Sequence, residues 1–385
     1  MAEREDRPRV LIVTRNFPPL CGGMERLNWH LADELARHCE LRLVAPAGAA
    51  SHVPDGVTVS EVPLDPLPRF LLHAAHRARL EARRWRPHWV IAGSGLTAPQ
   101  AWCAARACGA RTAAYVHGLD LTVSHSVYRA LWHPVLRRMH RVVANSSATA
   151  SLACGLGIDP QRVSVVHPGA DSPEFDVQAR ERFRTAHGFG ADSSVLLSVG
   201  RLTERKGLRE FVAEVLPRIV QRRPEVVLAI VGDAPMHALH ARTQSVRSIL
   251  QAAQAAGVGA HVRVLGKLDE ESLNDAYFAA DLHVFPVRDL AHDVEGFGMV
   301  AVEAAAHALA TVAYACGGVV DAVADGISGS LVPPGDAQAF ADAVLRLLQR
   351  PLPAQRIRRF ADDFTWPRFS ARLMRAAGIG RSSAP

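Results

Sequence analysis

Twelve short apolar segments recur along this 385-residue chain, most of them followed directly by glycine, proline, asparagine or serine. Short apolar runs closed in this way are typical of buried parallel strands. Six lie in the first half and six in the second, at 10–14, 41–46, 89–93, 112–118, 141–146, 163–169, 195–202, 225–233, 262–268, 282–287, 311–318 and 329–336. Helix-length segments separate most of them, so the pattern predicts an α/β protein with parallel sheets covered by helices on both faces.

The repetition of the pattern predicts two Rossmann-like, doubly wound domains in tandem, which suits a chain too long for one ordinary core. We expect residues 1–185 to form the first domain and residues 186–364 the second. Residues 365–385 are expected to form a helix that packs back on the first domain. Ligands of such sheets bind at the carboxyl ends of the strands, which predicts a deep cleft between the two domains.

The composition is that of a globular protein, with 49% apolar and 21% charged residues. No stretch approaches the roughly 20 apolar residues that a membrane-spanning helix needs. The first ten residues contain acidic side chains and lead straight into an apolar segment, without the pattern of a signal peptide. Six cysteines show neither a CxxC pair nor a zinc-like spacing. We therefore expect a cytoplasmic protein with reduced thiols.

Two segments mix arginine with apolar residues, RFLLHAAHRARLEARRWR at 69–86 and YRALWHPVLRRMHR at 128–141. Basic amphipathic helices of this kind bind anionic membrane surfaces, which would place the protein on the inner face of the membrane as a peripheral protein. The solvated outer face of an ordinary helix explains the same pattern nearly as well. Both interpretations stay open at this stage.

The segment NFPPLCGG at 16–23 joins the first apolar run to a helical pattern. Glycines at such a turn allow backbone N–H groups to approach a ligand, and the helix N-terminus that follows favours anions. Gly22 and Gly23 are therefore candidates for a phosphate site, although glycine also opens many turns that bind nothing.

The segment GRLTERKG at 200–207 follows the first apolar run of the second half. Arg201 and Lys206 could hold a diphosphate from two sides, the arginine by its fork and the lysine as a point charge. The chain has only two lysines, Lys206 and Lys267, which argues against an arbitrary surface position for Lys206. A solvated basic turn is the alternative.

The segment EGFGMVAVE at 295–303 places two glutamates around a glycine pair and an apolar run. If a helix begins near Met299, the preceding N–H groups face an anion and Glu303 projects from the second turn. A carboxylate in an apolar helix needs donors, which the hydroxyls of a ribose could supply. Glu295 could accept hydroxyls of a sugar. Alternatively, Glu303 caps the helix or pairs with an arginine.

This segment resembles the E-x7-E motif of the retaining glycosyltransferases of family four, which have the B-type fold of two Rossmann-like domains. Other motifs follow the order and approximate spacing of that family, namely the glycines at 22–23, HGLD at 117–120, NS at 145–146, HPGAD at 167–171, GRLTERKG at 200–207, VGD at 231–233 and LVPPGD at 331–336. Any one motif is only suggestive, but the ordered set is specific. The resemblance extends from about residue 9 to residue 375.

The resemblance implies a role for each candidate residue. The catalytic residues would be His117, Arg201, Lys206 and Glu295. The nucleoside-diphosphate donor would be bound by Gly22, Gly23, Arg201, Lys206, Gly296, Phe297, Gly298, Met299, Val300 and Glu303. The acceptor side would include Asn16, His117 and Asp120. For His117, a buried core histidine is the alternative.

The resemblance also implies transfer of a hexose with retention of the anomeric configuration to a lipid-linked or glycan acceptor. No DxD pair is present, and Asp293-x-Glu295 is the nearest approach to one. We expect no metal and no cofactor, because Arg201, Lys206 and a helix N-terminus can stabilise the leaving diphosphate electrostatically. His307, Ala308 and Ala310 depart from the turn that commonly follows the E-x7-E helix, which leaves the donor base and sugar open.

GDP-mannose is slightly preferred as donor, by likeness to bacterial mannosyltransferases that act on membrane lipids or polysaccharide precursors. UDP-sugars suit the same phosphate site. Another B-fold enzyme, such as an epimerase or a phosphorylase, is a weaker alternative, as is a non-catalytic module that binds membrane or nucleic acid. A dinucleotide oxidoreductase is disfavoured because GxGxxG does not follow the first apolar run. We expect no nucleic-acid partner.

Overall fold

A computed structural model describes residues 7–234, 243–291 and 293–380. Two compact units divide the chain. The first runs to Gly169 and includes the chain from Trp366 onward, and the second is Ala170–Thr365. Each unit is built on its own parallel sheet. Among the helices of the described residues, none is both long enough and apolar enough to cross a membrane.

The first unit contains a seven-stranded sheet in the order β3-β2-β1-β4-β5-β6-β7. Its strands are β1 Arg9–Val13, β2 Glu40–Pro46, β3 Thr58–Val62, β4 Trp89–Ala92, β5 Arg111–Val116, β6 Arg141–Ala144 and β7 Val163–Val165. All neighbouring strands are parallel. The strand order reverses between β1 and β4, which is the position where doubly wound sheets bind their ligands.

The second unit contains a six-stranded parallel sheet in the order β10-β9-β8-β11-β12-β13. Its strands are β8 Ser194–Val199, β9 Val226–Val231, β10 Val262–Gly266, β11 Leu282–Phe285, β12 Thr311–Tyr314 and β13 Gly329–Val332. Here the order reverses between β8 and β11. Loops that follow these two strands carry Lys206 and Glu295.

Helices connect the strands in both units. Those of the first unit are α1 Gly23–Ala36, α2 Leu67–Trp85, α3 Ala98–Arg106, α4 Leu119–Thr122, α5 Ser126–Leu136, α6 Ser147–Gly155 and the C-terminal α16 Trp366–Ala377. Those of the second unit are α7 Ala179–Ala186, α8 Leu208–Glu210, α9 Leu216–Arg222, α10 Val246–Ala255, α11 Glu270–Ala279, α12 Met299–Ala306, α13 Val319–Ala322, α14 Ala337–Gln349 and α15 Ala354–Ala361. A π-helical turn, Phe211–Val215, joins α8 to α9.

Alternation along the strands fills both faces of the second sheet. Leu196 of β8 belongs to one hydrophobic cluster, whereas Val195 and Leu197 belong to another. Successive strand residues point to opposite faces, so each sheet face has its own core. This explains why the strands read as uninterrupted apolar runs, as expected for sheets covered on both sides.

The twelve strands predicted from the sequence are confirmed, although several end earlier than predicted. The segment 163–169, for example, contributes only Val163–Val165 to the sheet. One strand, β3, was not predicted. Its sequence TVSEV contains only two apolar residues, and it lies at the sheet edge, paired only with β2. An edge strand needs less apolar surface than a central strand, so it lacked the signal used for the others.

The boundary between the units lies after Gly169, ahead of the 185/186 boundary expected from the sequence. Helix α7 belongs to the second unit because its arginines bind that unit. Arg182 donates from Nε to Asp275 on α11 at 2.6 Å, and Arg180 pairs with Asp281 at 2.7 Å. The C-terminal helix α16 packs in the first unit against α1 and β6, and Trp366 stacks on His30 at 3.8 Å.

Candidate active site

Lys206 and Glu295 form an ion pair at the strand-order reversal of the second unit. Lys206 lies in a 3-10 turn that follows β8, and Glu295 lies in the loop between β11 and α12. The lysine Nζ donates to Oε2 of Glu295 at 2.8 Å and lies 4.5 Å from the centre of the Phe285 ring. Their side chains are only 13% and 10% exposed. Two residues separated by 89 positions thus form one buried charged unit.

Arg205 is a third member of this charged group and was not predicted from the sequence. Its Nε lies 3.4 Å from Oε2 of Glu295, and its Nη1 lies 3.3 Å from Asp293. Its Nη1 also donates to the carbonyl of Val294 at 2.9 Å. Both cations therefore contact the same oxygen of Glu295. No contact of Oε1 is recorded among the residues that the structure describes, which leaves this oxygen to accept a ligand hydroxyl.

These contacts keep Glu295 ionised. Burial would raise the pKa of its carboxyl, but the nearby charges of Arg205, Lys206 and Arg201 outweigh burial and lower the pKa to about 2. Burial lowers the pKa of Lys206, and the Glu295 carboxylate opposes that change. Glu295 is therefore a carboxylate at every pH at which the protein would be assayed, and it can accept hydrogen bonds but cannot donate a proton.

Arg201 is exposed, unlike its predicted partner Lys206. No hydrogen bond or ion pair of the Arg201 side chain is recorded within the described ranges. It lines a small recess with Gly200, Lys206 and Phe285. An exposed guanidinium beside a buried ammonium is a suitable arrangement for an anionic ligand, because the arginine can approach the ligand without first breaking an ion pair.

Helix α12 begins at Met299, as predicted, and directs its N-terminus toward the same region. Gly298 precedes it with a φ of 98°, and a Cβ there would lie 2.8 Å from the Phe285 ring. No protein acceptor is recorded, in the described part of the chain, for the amides of Gly298, Met299 and Val300. Unsatisfied N–H groups at a helix N-terminus favour a bound anion.

The loop that carries Glu295 also rests directly on the turn after β12. The amide of Gly318 donates to the carbonyl of Glu295 at 2.8 Å. A Cβ at position 318 would lie 2.0 Å from the carbonyl oxygen of Gly296, so only glycine permits this close approach. The backbone at 295–296 is therefore held in place by the turn that follows β12.

Glu303 is buried in α12, where the hydroxyl of Tyr277 donates to its Oε2 at 3.0 Å. The ring of Tyr277 stacks on His307, and Nδ1 of His307 lies 2.8 Å from the Glu303 carbonyl. The described contacts of this carboxylate thus include a tyrosine, which neither sequence interpretation of Glu303 anticipated. A hydroxyl donor offsets part of the cost of burying the carboxylate.

His117 and Asp120 lie together in the first unit, at the carboxyl end of β5. The backbone amide of His117 donates to Oδ1 of Asp120 at 3.0 Å, and the amide of Gly95 donates to Oδ2 at 2.6 Å. Nε2 of His117 lies 3.0 Å from the carbonyl of Gly93 and must carry the proton there, since a carbonyl only accepts. In the neutral ring Nδ1 is then an acceptor.

Asn16 and the glycine pair also lie in the first unit, at the N-terminus of α1. Asn16 donates from Nδ2 to Oε1 of Glu25 at 2.7 Å. Oε2 of the same carboxylate lies 2.4 Å from the position of a Cβ on Gly22. The phosphate contact predicted for Gly22 and Gly23 thus adjoins the carboxylate of Glu25, which was not predicted to belong to the site.

Three residues of the site were not predicted from the sequence, and the reason is the same for each. Each of them contacts a predicted residue from another segment of the chain: Arg205 contacts Glu295, Tyr277 contacts Glu303, and Glu25 contacts Asn16. No spacing in the sequence links the two members of each pair. A signal was available for Arg205 and Glu25, since each stands one to three residues from a predicted residue. Tyr277 offered none. Within the described ranges, no group of three or more His, Cys, Asp or Glu side chains is arranged to hold a metal.

Family models match both units of the chain. A model described as "Glycosyltransferase Family 4" matches residues 21–173, and a model described as "Glycosyl transferases group 1" matches residues 193–350. The chain is 30% identical to the D-inositol 3-phosphate glycosyltransferase of Actinosynnema mirum over 76% of this chain and 71% of that protein. The chain belongs to glycosyltransferase family 4.

Other relatives of this family 4 chain differ in coverage. It is 29% identical to the GDP-mannose-dependent alpha-(1-6)-phosphatidylinositol monomannoside mannosyltransferase of Mycolicibacterium smegmatis, over 94% of this chain and 97% of that one. It is 38% identical to D-inositol 3-phosphate glycosyltransferase 2 of Catenulispora acidiphila over 55% of this chain, and the match spans only 48% of that relative.

Solved structures establish the fold. HepE of Anabaena in complex with UDP superposes with a TM-score of 0.80 at 19% identity, covering 96% of this chain and 99% of that one. Sucrose-phosphate synthase of Thermosynechococcus elongatus gives a TM-score of 0.79 at 21% identity, covering 96% and 98%. The predicted fold of two Rossmann-like domains is confirmed.

Proposed function

We propose that this protein is a retaining, metal-independent hexosyltransferase that uses a nucleoside-diphosphate sugar as donor. The observation that carries the proposal is the buried Lys206–Glu295 pair beside the open N-terminus of α12. The pair supplies a carboxylate for the sugar, while the lysine and the amides supply positive charge for the phosphates. Membership of family 4 supports the same activity.

The leaving diphosphate needs its developing negative charge stabilised during transfer. Lys206, the exposed Arg201 and the amides of Met299 and Val300 are positive or partly positive groups in the second unit. Such preorganised groups stabilise charge without reorganising at the moment of reaction. We propose that they replace a divalent cation in this role, and that Glu303 binds the ribose.

The ionised Glu295 suits a transition state with positive character on the sugar ring. Its Oε2 is held by Lys206 and Arg205, so Oε1 is the atom that would accept a sugar hydroxyl. Retention by transfer on the same face would leave deprotonation of the acceptor to a donor phosphate oxygen. We assign Asn16, His117 and Asp120 of the first unit to the acceptor side.

GDP-mannose is the donor that we prefer. The M. smegmatis relative, which this chain covers almost completely, is named for GDP-mannose and for a phosphatidylinositol mannoside. Other relatives are named for inositol 3-phosphate. These names favour a polyol or glycolipid acceptor over a protein or a nucleic acid, which agrees with a role in glycolipid or polysaccharide biosynthesis in the cytoplasm.

A screen of melting temperature against nucleotides tests this proposal. GDP and GDP-mannose, at about one hundred times their Kd, are expected to stabilise the folded protein by about 2.7 kcal/mol without added metal. UDP, ADP, TDP and their sugar conjugates are the comparison. A rise in melting temperature with UDP compounds alone would show that the donor carries uracil and not guanine. The absence of a shift with every compound, with and without magnesium, would contradict the donor site itself.

We further propose that the first unit binds an anionic membrane surface through α2. Six arginines of α2 and its C-cap are exposed, and within the described part of the chain none of them is in an ion pair: Arg69, Arg77, Arg79, Arg83, Arg84 and Arg86. The apolar side of α2 is turned inward, however, with Phe70, Ala74, Ala78 and Ala82 buried. Leu72 alone among its large apolar side chains is strongly exposed, at 71%.

Exposed apolar residues on α5 complement this basic surface. Val127 and Leu131 are 53% and 57% exposed and lie one helical turn apart. Both α2 and α5 pack against α3, so they lie on the same side of the sheet. A cavity of about 440 Å³ beside α2 is lined by His73, His76 and Arg77 among others. Because α2 buries most of its apolar side chains and exposes its arginines, its binding to a membrane surface would be mainly electrostatic.

Reversal of Arg77, Arg83 and Arg84 to glutamate is expected to abolish binding to vesicles that contain anionic lipid, since each basic residue near such a surface contributes about 1 kcal/mol. Vesicle co-sedimentation at low and physiological salt measures this. Reversal of Arg356 and Arg359 on α15, in the other unit, is the matched control. Unchanged sedimentation of the α2 variant would reduce these arginines to a solvated helix face.

A further inference from the structure

Glu295 is carried by a loop without regular structure. In the described part of 286–298, which joins β11 to α12, no residue belongs to a helix or a strand. A carboxylate that must meet a sugar within about 0.5 Å needs its backbone held by neighbouring groups. The amide of Gly318 holds the carbonyl of Glu295, and no backbone hydrogen bond joins Gly318 to the described residues of 286–294.

Arg205 contacts the two residues that precede Glu295 and Glu295 itself. Its guanidinium lies 3.3 Å from the Asp293 carboxylate, donates to the Val294 carbonyl at 2.9 Å and lies 3.4 Å from Glu295. Its own carbonyl accepts from the amide of Arg288 at 2.8 Å, near the start of the same loop. One residue therefore ties the two ends of the loop to the turn that carries Lys206.

We propose that Arg205 is a positioning residue that fixes Glu295 by holding residues 293–295, with Asp293 as its counter-charge. The inference rests on the proposed function in assigning Glu295 to the sugar. Arg205 is not assigned to the donor, because the contacts of its guanidinium all go to residues 293–295, although its Nε is buried without a hydrogen bond and faces Glu295 only as an ion pair. Lys206, its neighbour, instead contacts Glu295 and the Phe285 ring.

The geometry suits an arginine. Its Nη1 contacts Asp293 and Val294 while its Nε faces Glu295, whereas an ammonium offers a single point charge. Lysine at position 205 would preserve the positive charge near Glu295 but would reach fewer of the three groups. Methionine would preserve the unbranched stem of the side chain and remove both the charge and the hydrogen bond.

Charge near Glu295 also comes from other segments. Arg201, Arg205 and Lys206 approach it from the β8 loop, and Asp293 lies beside it in its own loop. Cys316, in the turn after β12, contributes no charge, because burial raises the pKa of its thiol to about 12. Loss of Arg205 leaves Lys206 to keep Glu295 ionised. The expected effect of an Arg205 variant is therefore displacement of the loop and not protonation of the carboxylate.

The test compares Arg205→Met, Arg205→Lys and the control Arg209→Met in the full-length protein. Arg209 is exposed on α8, and its recorded contact is made by its backbone amide. Hydrogen exchange measured by mass spectrometry is expected to accelerate at least about tenfold in peptides covering 286–298 in Arg205→Met, less in Arg205→Lys, and not in Arg209→Met. Unchanged exchange in Arg205→Met would overturn the proposal, whether or not the protein transfers sugar.

Steady-state kinetics with GDP-mannose provides the second measurement. Displacement of Glu295 by about 1 Å is expected to lower kcat by about 10²-fold in Arg205→Met, with partial recovery in Arg205→Lys and little change in the Kd for GDP. A Kd for GDP that rises as much as kcat falls would make Arg205 a donor-binding residue and overturn its positioning role. If the wild type transfers no sugar but exchange accelerates in Arg205→Met, the proposed function fails and the positioning role stands.

Asp293→Asn keeps the inference testable if Arg205→Met does not fold. It leaves the arginine in place but removes its counter-charge, so faster exchange in the same peptides is expected, though to a smaller degree. Protection equal to the wild type in Asp293→Asn, with Arg205→Lys also unchanged, would contradict the proposal.

Discussion

Replacement of Glu295 by glutamine is expected to lower kcat by about 10²–10³-fold while the protein remains folded. The amide keeps the shape of the side chain and an oxygen for Lys206 but loses the negative charge that would face the sugar. Loss of one preorganised electrostatic group in an active site commonly costs about 2.7–4 kcal/mol in the transition state. Steady-state kinetics with a fixed donor measures the change.

Glu225→Gln is the matched control for this variant. Glu225 belongs to the same unit and is in an ion pair, with Arg223, but it precedes β9 and is about one third exposed. The Glu225→Gln variant should leave kcat unchanged. A kcat of Glu295→Gln within about threefold of the wild-type value would show that Glu295 is not part of the active site.

Glu295→Gln is also expected to change the stability of the folded protein in a way that depends on pH. Because the folded pKa of Glu295 lies below its ordinary value of 4.5, at about 2, the group stabilises the folded state above pH 4.5. That contribution is lost as pH falls toward 2. The difference in unfolding free energy between wild type and Glu295→Gln should therefore be constant from pH 7 to pH 5 and shrink below it, as urea denaturation would show.

Lys206→Met is expected to weaken donor binding and to lower kcat by about 10²-fold or more, since the lysine would neutralise the leaving diphosphate. Removal of one partner from a buried ion pair also destabilises a protein by about 3–5 kcal/mol. Arg205 remains beside Glu295 in this variant, so the loss of stability should fall at or below the lower limit. Calorimetric titration with GDP and thermal denaturation measure the two effects.

Lys267→Met is the natural control, because Lys267 is the only other lysine of the chain and lies in the same unit. The double variant Lys206→Met with Glu295→Gln adds a further check. The two side chains touch, so their effects on kcat should be less than additive. Additive effects, or donor affinity unchanged in Lys206→Met, would show that the pair has no common role.

Much of the fold could be predicted because a strand covered on both faces must be apolar throughout. Segments such as VLIVT and VVLAIV can hardly be anything else in a chain that alternates them with helices. The start of α12 at Met299 was equally accessible, since glycine at 298 ends the loop and small apolar residues follow. Strand β3 was not, because only two of its five residues are apolar.

The site was predictable as a set of residues but not as a set of contacts. Glycines and charges at strand ends pointed to Lys206 and Glu295 separately, and nothing in their spacing shows that they touch. That contact depends on β8 and β11 being neighbours in the sheet, which is a property of the topology. The tyrosine on Glu303 and the arginine on the 293–295 loop depend on the same long-range arrangement.

The position of α16 has a consequence for synthesis of the protein. This helix completes the first unit, where Trp366 and Phe369 are buried, yet the ribosome makes it after all of residues 170–365. The second unit is continuous in sequence and can fold as soon as it emerges, while the first must wait with part of its core uncovered. The half of the protein that is translated first is thus the half that is finished last.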